Sequence, residues 1–310
     1  MSNVIITRHK YEAHLPSMLK EIYVERGTKE DWEMFRNLHY KADDVGIGPK
    51  FYRIVFKDRP IGVAVTTVPK MLLAGRNELF KHLKPNSIDG RDSRMINKYR
   101  AEWINANSTI NSRLVIDQNF RGVGFGYRAQ NLILRMTNVP IIEFQSSMSK
   151  FNVFAEKAGV KFTRPRKATY HDKGMLFFRS RFEADPQDFV GILAELEAMP
   201  KYLQKRMIQD MRDFYYQHSA QEKSGNNRMN GTSRVDGLTV SRLIKSIHQL
   251  VFASPLYGVY FNPDASYIKP HEERLPSHLP EKIPLLAFEN QAVDEPMNME
   301  KLTAMLKRGF

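Results

Sequence analysis

Residues 121–127 read Arg-Gly-Val-Gly-Phe-Gly-Tyr, placing three glycines between an apolar run, SRLVID (112–117), and a stretch with helical spacing, YRAQNLILRM (127–136). A loop of this kind at a helix start offers backbone N–H groups and the positive end of the helix dipole to an anion, and glycine lets the ligand come close. The chemistry it suggests is the grip of a pyrophosphate by Arg121, Gly122, Val123, Gly124, Phe125, Gly126 and Tyr127; the other reading is a tight turn that serves only the fold. Two further phosphate loops compete. No GxxxxGK[ST] string occurs, which excludes the P-loop. The dinucleotide fingerprint matches at Gly122 and Gly124, with Glu143 about twenty residues on, but Tyr127 stands where its third glycine belongs.

Groups able to move protons are fewer. His39 and Tyr40 close the string WEMFRNLHY, where they can project into an acceptor cleft as base and positioning group. A histidine at a helix end can equally serve only to complement the dipole. Ser146 and Ser147 follow the run VPIIEFQ, where a hydroxyl can orient a reacting group, shuttle a proton or merely cap a strand. The other histidines show no HxH or HxxxH spacing with carboxylates and the chain has no cysteine, so no metal site, disulfide or thiol nucleophile is expected.

Charge points to the partner. Forty-seven Lys and Arg against thirty-four Asp and Glu leave a net charge of +13, which suits nucleic acid, an anionic cofactor or an acidic surface. Residues 157–181 carry eight basic side chains, Arg164, Arg166 and Lys167 among them, against Asp172 alone, and residues 70–102 carry eight against four acidic ones. Nucleic-acid contact and a solvated basic face both fit. Phe51, Tyr52 and Phe56 can stack bases, although alternating aromatics in a hairpin are more often core.

The glycine segment resembles the coenzyme-A loop of the GNAT acetyltransferase superfamily, Arg/Gln-x-x-Gly-x-Gly/Ala after a strand. SRLVIDQNF resembles that family's lead-in, and IIEFQSSMSKFNVFAEKAGVKF its fifth strand and following helix. The resemblance spans roughly residues 20–182 and is most specific over 112–162. It implies an N-acyltransferase using acetyl-CoA or another acyl-CoA, with the loop amides on the pyrophosphate and the pantetheine arm between splayed strands that include Val115 and Ile116. Ser146 then falls where acceptor and thioester meet. The family's usual proton donor, a tyrosine, is replaced by Ala155, and the strand before the loop lacks the frequent glutamate base, for which Glu143 on the neighbouring strand can substitute. The helix ending His39-Tyr40 resembles a nucleobase-modifying subgroup that includes the phage protein Mom. Acyl transfer to an amine carried by nucleic acid is the reading this favours. Base modification with another donor, or a nucleic-acid-binding module without chemistry, stand beside it.

The elements that must position these residues follow from periodicity. KEIYVER (20–26) alternates like a strand, and Thr28 with Asp31 forms a capping-box pattern before a helix. FYRIVFK and IGVAVTTV read as a hairpin turning at Asp58-Arg59-Pro60; residues 70–110 read as two helical pieces around Pro85–Ser93. The segments 112–117 and 139–145 read as strands around the helix 127–136, a helix near 150–158 ends at Gly159, and GMLFFRSRF (174–182) reads as the strand completing the sheet. The expectation is an α/β fold: a GNAT-like mixed central sheet with helices on both faces over 1–183, then a helical C-terminal appendage. That appendage comprises a helical extension (184–223), a flexible Gly/Asn/Ser linker (224–237) and a helical or irregular segment (238–310), of which 255–284 is proline-interrupted. No apolar run approaches the roughly 20 residues that span a bilayer and no signal peptide is evident, so no membrane partner is expected and the cytoplasm is the default location.

Overall fold

The computed structural model describes residues 17–39, 45–71, 73–84, 93–146, 149, 152–163, 168–219, 222–223, 229–252, 255–289 and 291–308. It divides into two compact units, one of Met1–Thr163 with Leu256–Phe310 and the other of Arg164–Pro255.

The first unit is a mixed eight-stranded sheet. Its strands are β1 (Ile22–Arg26), β2 (Lys50–Phe56), β3 (Arg59–Thr67), β4 (Ser108–Ile116), β5 (Ile141–Ser146), β6 (Lys161–Phe162), β7 (Leu256–Phe261) and β8 (Lys282–Pro284), in the order β6-β7-β5-β4-β3-β2-β1-β8. Every pairing is antiparallel except β4 with β5. The interposed helices are α1 (Lys29–Phe35), α2 (Ala74–Leu79), α3 (Ser93–Asn107), α4 (Phe125–Met136) and α5 (Phe154–Lys157).

Local chemistry explains the elements. The Thr28 amide donates to Asp31 Oδ2 at 2.7 Å, completing the expected capping box of α1. The hairpin turns at Lys57-Asp58 rather than Asp58-Arg59-Pro60: both residues have positive φ (45° and 61°), a two-residue turn whose twist matches the flanking strands. The apolar stripe of α4, Phe125, Ala129, Leu132, Ile133 and Met136, packs with Tyr52, Ile54, Ala64 and Ile116 on one face of the sheet. On the opposite face Trp32 and Phe35 of α1 cover Val63, Val65 and Val115. Helices thus lie on both faces.

Three expectations are corrected. The segment 174–182 is mostly helix, His171–Arg179, because its buried residues Gly174, Phe177, Phe178 and Phe182 recur at helical spacing, and they pack in the second unit with Met211, Tyr215, Leu243 and Ile247. The sheet does not close there. The residues from 238 onward are not a separate appendage either: β7 lies between β5 and β6 and β8 pairs with β1, where Ile283 is fully buried, so Leu256–Phe310 belongs to the first unit. Within the expected linker, 224–228 lie outside the described residues, while Ser233–Asp236 is helical with Val235 buried in the second unit's core. The helical region is therefore an insertion between strands of the sheet. No helix among the described residues is long and apolar enough to cross a membrane.

Candidate functional site

Strands β4 and β5 pair over Ser108–Ile110 with Ile141–Glu143 and then part. Each keeps its outer neighbour to its end, β4 with β3 and β5 with β7, so the sheet opens as a wedge. A register shift at Val65/Thr66, opposite Arg113 and Asn111, leaves Ser112 as an extra residue in β4; such a bulge bends its strand. The Ser112 hydroxyl is tied back to Thr67 Oγ1 at 2.6 Å. A cavity of about 370 Å³ occupies the wedge, walled by Asn111–Ile116 on one side and Phe144–Ser146 on the other, with Leu38 and His39 bordering it.

The glycine loop lies where β4 ends. Asp117 Oδ1 accepts the Asn119 amide at 2.9 Å, and Arg121 Nε donates to the Ile116 carbonyl at 2.7 Å, which holds the arginine on the cavity wall. Gly122 and Gly124 have φ of +82° and +86°, a conformation that L side chains resist, and Gly124 is the N-cap of α4. A Cβ on Gly122 would meet nothing within 4 Å, so its outer side is open. The first-turn amides of Phe125, Gly126 and Tyr127 have no intrahelical acceptor. The Phe125 ring is core, the Tyr127 ring packs on Phe288 at 5.5 Å, and Val123 is exposed. What the loop offers a ligand is therefore backbone, and that suits a pyrophosphate. Val115 and Ile116 line the cavity as well as filling the core.

His39 follows a short 3-10 turn (Arg36–Leu38) in extended conformation, its ring 6.3 Å from that of Trp32 in an edge arrangement. Ser146 ends β5 on the same cavity, and its Oγ accepts the Ser149 amide at 3.1 Å, which leaves the Ser146 proton free to be donated. Ser149 escapes sequence reasoning, since one serine among several carries no signal. It is buried, lines the cavity, and its hydroxyl has no hydrogen-bond partner. Ala155 lies buried among Leu134, Ile142, Phe144 and Val160, so its position offers no proton.

The placement of Glu143 in the cleft is corrected. Its side chain is fully buried and takes Arg76 Nε and Nη2 at 2.6 and 2.5 Å, together with the Tyr257 hydroxyl at 2.6 Å. Side chains alternate along a strand, so Phe144 and Ser146 reach the cavity while Glu143 belongs to the other face. Burial, and then the carboxylate, push the Tyr257 phenol far up. Tyr40, Ser147, Arg164, Arg166 and Lys167 lie outside the described residues. Of the rest of the basic run, Lys157 and Lys161 belong to the first unit and Lys173, Arg179 and Arg181 to the second, where Arg181 pairs with Asp210 at 3.3 Å. Among the described residues the cavity wall carries Arg113 and Arg121 but no carboxylate, and no group of three or more His, Asp or Glu is arranged to hold a metal.

No protein-family model matches this chain, and no curated protein matches it by sequence. Solved structures do match, among them a GNAT family acetyltransferase from Elizabethkingia anophelis with acetyl-CoA bound. The likeness covers 49% of this chain and 84% of that one, at 13% identity and a TM-score of 0.27. Similarity at that level says nothing about chemistry.

Proposed function

We propose that the chain is an acyl-CoA-dependent N-acyltransferase whose acceptor amine is carried by nucleic acid. The observation that carries this reading is the wedge between parallel β4 and β5, entered beside a helix start whose glycine backbone is open to an anion. Acyl-CoA, when bound, supplies the thioester that donates the acyl group. The amides from Gly122 to Tyr127 and the Arg121 guanidinium hold its pyrophosphate. His39 takes the proton that the amine nitrogen loses as it bonds to the acyl carbon. As the carbon–sulfur bond breaks, the hydroxyls of Ser146 and Ser149 relay a proton to the departing sulfur, the task for which Ala155 has no group.

The acceptor follows from charge. A protonated alkylamine would face Arg113 and Arg121 with no carboxylate to receive it, whereas a neutral base or aminoacyl amine on a phosphate backbone suits both the wall and the net charge of +13. The buried Ala155 favours a second reading, a binding module without turnover.

Calorimetry with coenzyme A and acetyl-CoA tests the donor. Val123 is exposed, so Val123→Glu adds a carboxylate beside the loop without disturbing packing, and it should weaken binding by an order of magnitude or more through charge repulsion at the helix start. No affinity in the wild type, or equal affinity in the variant, defeats the proposal. Mass analysis of nucleosides and proteins from expressing cells tests the acceptor: an added acyl mass on protein alone removes nucleic acid from the reading, and coenzyme binding with no acyl adduct on either selects the binding module.

A further inference from the structure

A second cavity, of about 220 Å³, lies on the α4 face near the C-terminal end of that helix, with Lys50, Tyr52, Thr66, Asn105 and Thr137 in its wall. It shares no residue with the wedge cavity, which lies toward the other end of β4. Lys50 is paired across the hairpin with Thr66, and Tyr52 follows two residues along β2, so the three side chains share one face.

Two hydroxyls here are unmatched. Tyr52 and Thr66 are 0% and 1% exposed, yet neither Tyr52 Oη nor Thr66 Oγ1 has a hydrogen-bond partner. Folded proteins rarely leave such groups orphaned, because they forfeit their bonds to water. Their neighbours are satisfied: Thr137 Oγ1 donates to the Leu134 carbonyl at 2.6 Å, Ser108 Oγ to that of Ile104 at 2.8 Å, and Thr109 Oγ1 to that of Thr67 at 2.9 Å. The space is several times the roughly 30 Å³ share of one water, so a single bridging water does not fill it.

The surroundings define what does. Beside Lys50, the Arg26 guanidinium stacks 4.6 Å from the centre of the Tyr52 ring while donating to the Met136 carbonyl at 3.2 Å, and the cavity wall holds no carboxylate among the described residues. Burial raises the Tyr52 phenol above its ordinary value, the Arg26 charge opposing it, which keeps the hydroxyl proton in place as a donor. We infer that this cavity is a second binding site, for an oxyanion group such as a phosphate or carboxylate, held by the hydroxyls of Tyr52 and Thr66 and the ammonium of Lys50.

The test titrates inorganic phosphate and acetate separately into the full chain, read by calorimetry and by melting temperature. Wild type, Tyr52→Phe/Thr66→Val and Val123→Glu are compared. At least one anion should bind and raise the melting temperature. That response should persist in Val123→Glu, which alters only the loop at the other end of α4, and its affinity should fall at least tenfold in the double variant. A response to phosphate alone identifies a phosphate group as the ligand, and one to acetate a carboxylate. The double variant breaks no existing hydrogen bond, so without anion it should melt at or above the wild type; should it fail to fold, Thr66→Val alone carries the comparison. No response to either anion in the wild type, or an equal response in the hydroxyl-deleted protein, overturns the inference. The Val123→Glu comparison keeps this result separate from that of the coenzyme site.

Discussion

Replacing Glu143 with glutamine separates a structural carboxylate from a catalytic one. Arg76 and Glu143 are 2% and 1% exposed at their side chains and joined by two bonds, and Tyr257 adds a third. Glutamine keeps the shape but leaves the guanidinium without its counter-charge, and removing one partner of a buried pair costs about 3–5 kcal/mol. At about 2–4 °C per kcal/mol for a unit of roughly 150–250 residues, the melting temperature should fall by roughly 6–20 °C. Circular dichroism melts give that number. Turnover measured well below the transition, where the variant is folded, should stay within a fewfold of wild type. The double variant Arg76→Met/Glu143→Leu removes both charges and should recover much of the loss, since apolar replacements of buried pairs are often neutral or better. A Glu143→Gln protein that melts within about 2 °C of wild type but turns over a hundredfold more slowly refutes this reasoning and returns Glu143 to the reaction.

Three further outcomes are expected. His39→Ala should lower turnover about a hundredfold with acyl-CoA affinity nearly unchanged, and Ser149→Ala should lower it while leaving the melting temperature unchanged or slightly higher, because the deleted hydroxyl has no partner; steady-state kinetics beside calorimetry reads both, and normal rates in both remove these residues from the mechanism. Burial pushes the His248 imidazole below its ordinary value against the opposing pull of Asp188, so the unfolded chain takes up its proton first and stability is lost as pH falls below about 6.5; melts between pH 8 and 5 should show His248→Leu losing less than wild type, and a wild-type melting temperature that rises on acidification contradicts this. Nucleic-acid affinity should fall with salt, and neutralising Arg164, Arg166 and Lys167 together should reduce the log–log slope by about 0.9 for each phosphate that these side chains would otherwise neutralise; an unchanged slope places the interface elsewhere.

The glycine loop, the capping box and α4 were legible because their causes are local: a left-handed turn, a side chain within three residues of its target, an apolar stripe at helical spacing. The 174–182 helix was misread since Phe177, Phe178 and Phe182 carry strand propensity, and only the packing of the second unit selects their helical periodicity. LYGVYF (256–261) had strand character of its own, but Pro255 and the proline-laced stretch behind it masked a pairing with residues more than a hundred positions earlier. Glu143 carried a usable signal that alternation decodes: a charge between apolar neighbours in a strand belongs to the face opposite theirs. Its partner Arg76 is 67 residues away, and nothing in a linear reading joins the two.

The late arrival of β7 gives vectorial synthesis a hazard. Tyr257 is 114 residues beyond the Glu143 it bonds, and at about 5–20 residues per second a ribosome takes roughly 6–23 s to cover that gap. Throughout it β5 presents an unpaired edge carrying Ile141, Ile142 and Phe144. Such an edge is a template for pairing with other chains. The outer edge of β1 waits longer still, until β8 emerges. Nascent chains of this protein therefore depend on holdase capacity and elongation speed, and the yield of folded protein in a cell is set more by how crowded its polysomes are than by the strength of any single side-chain interaction.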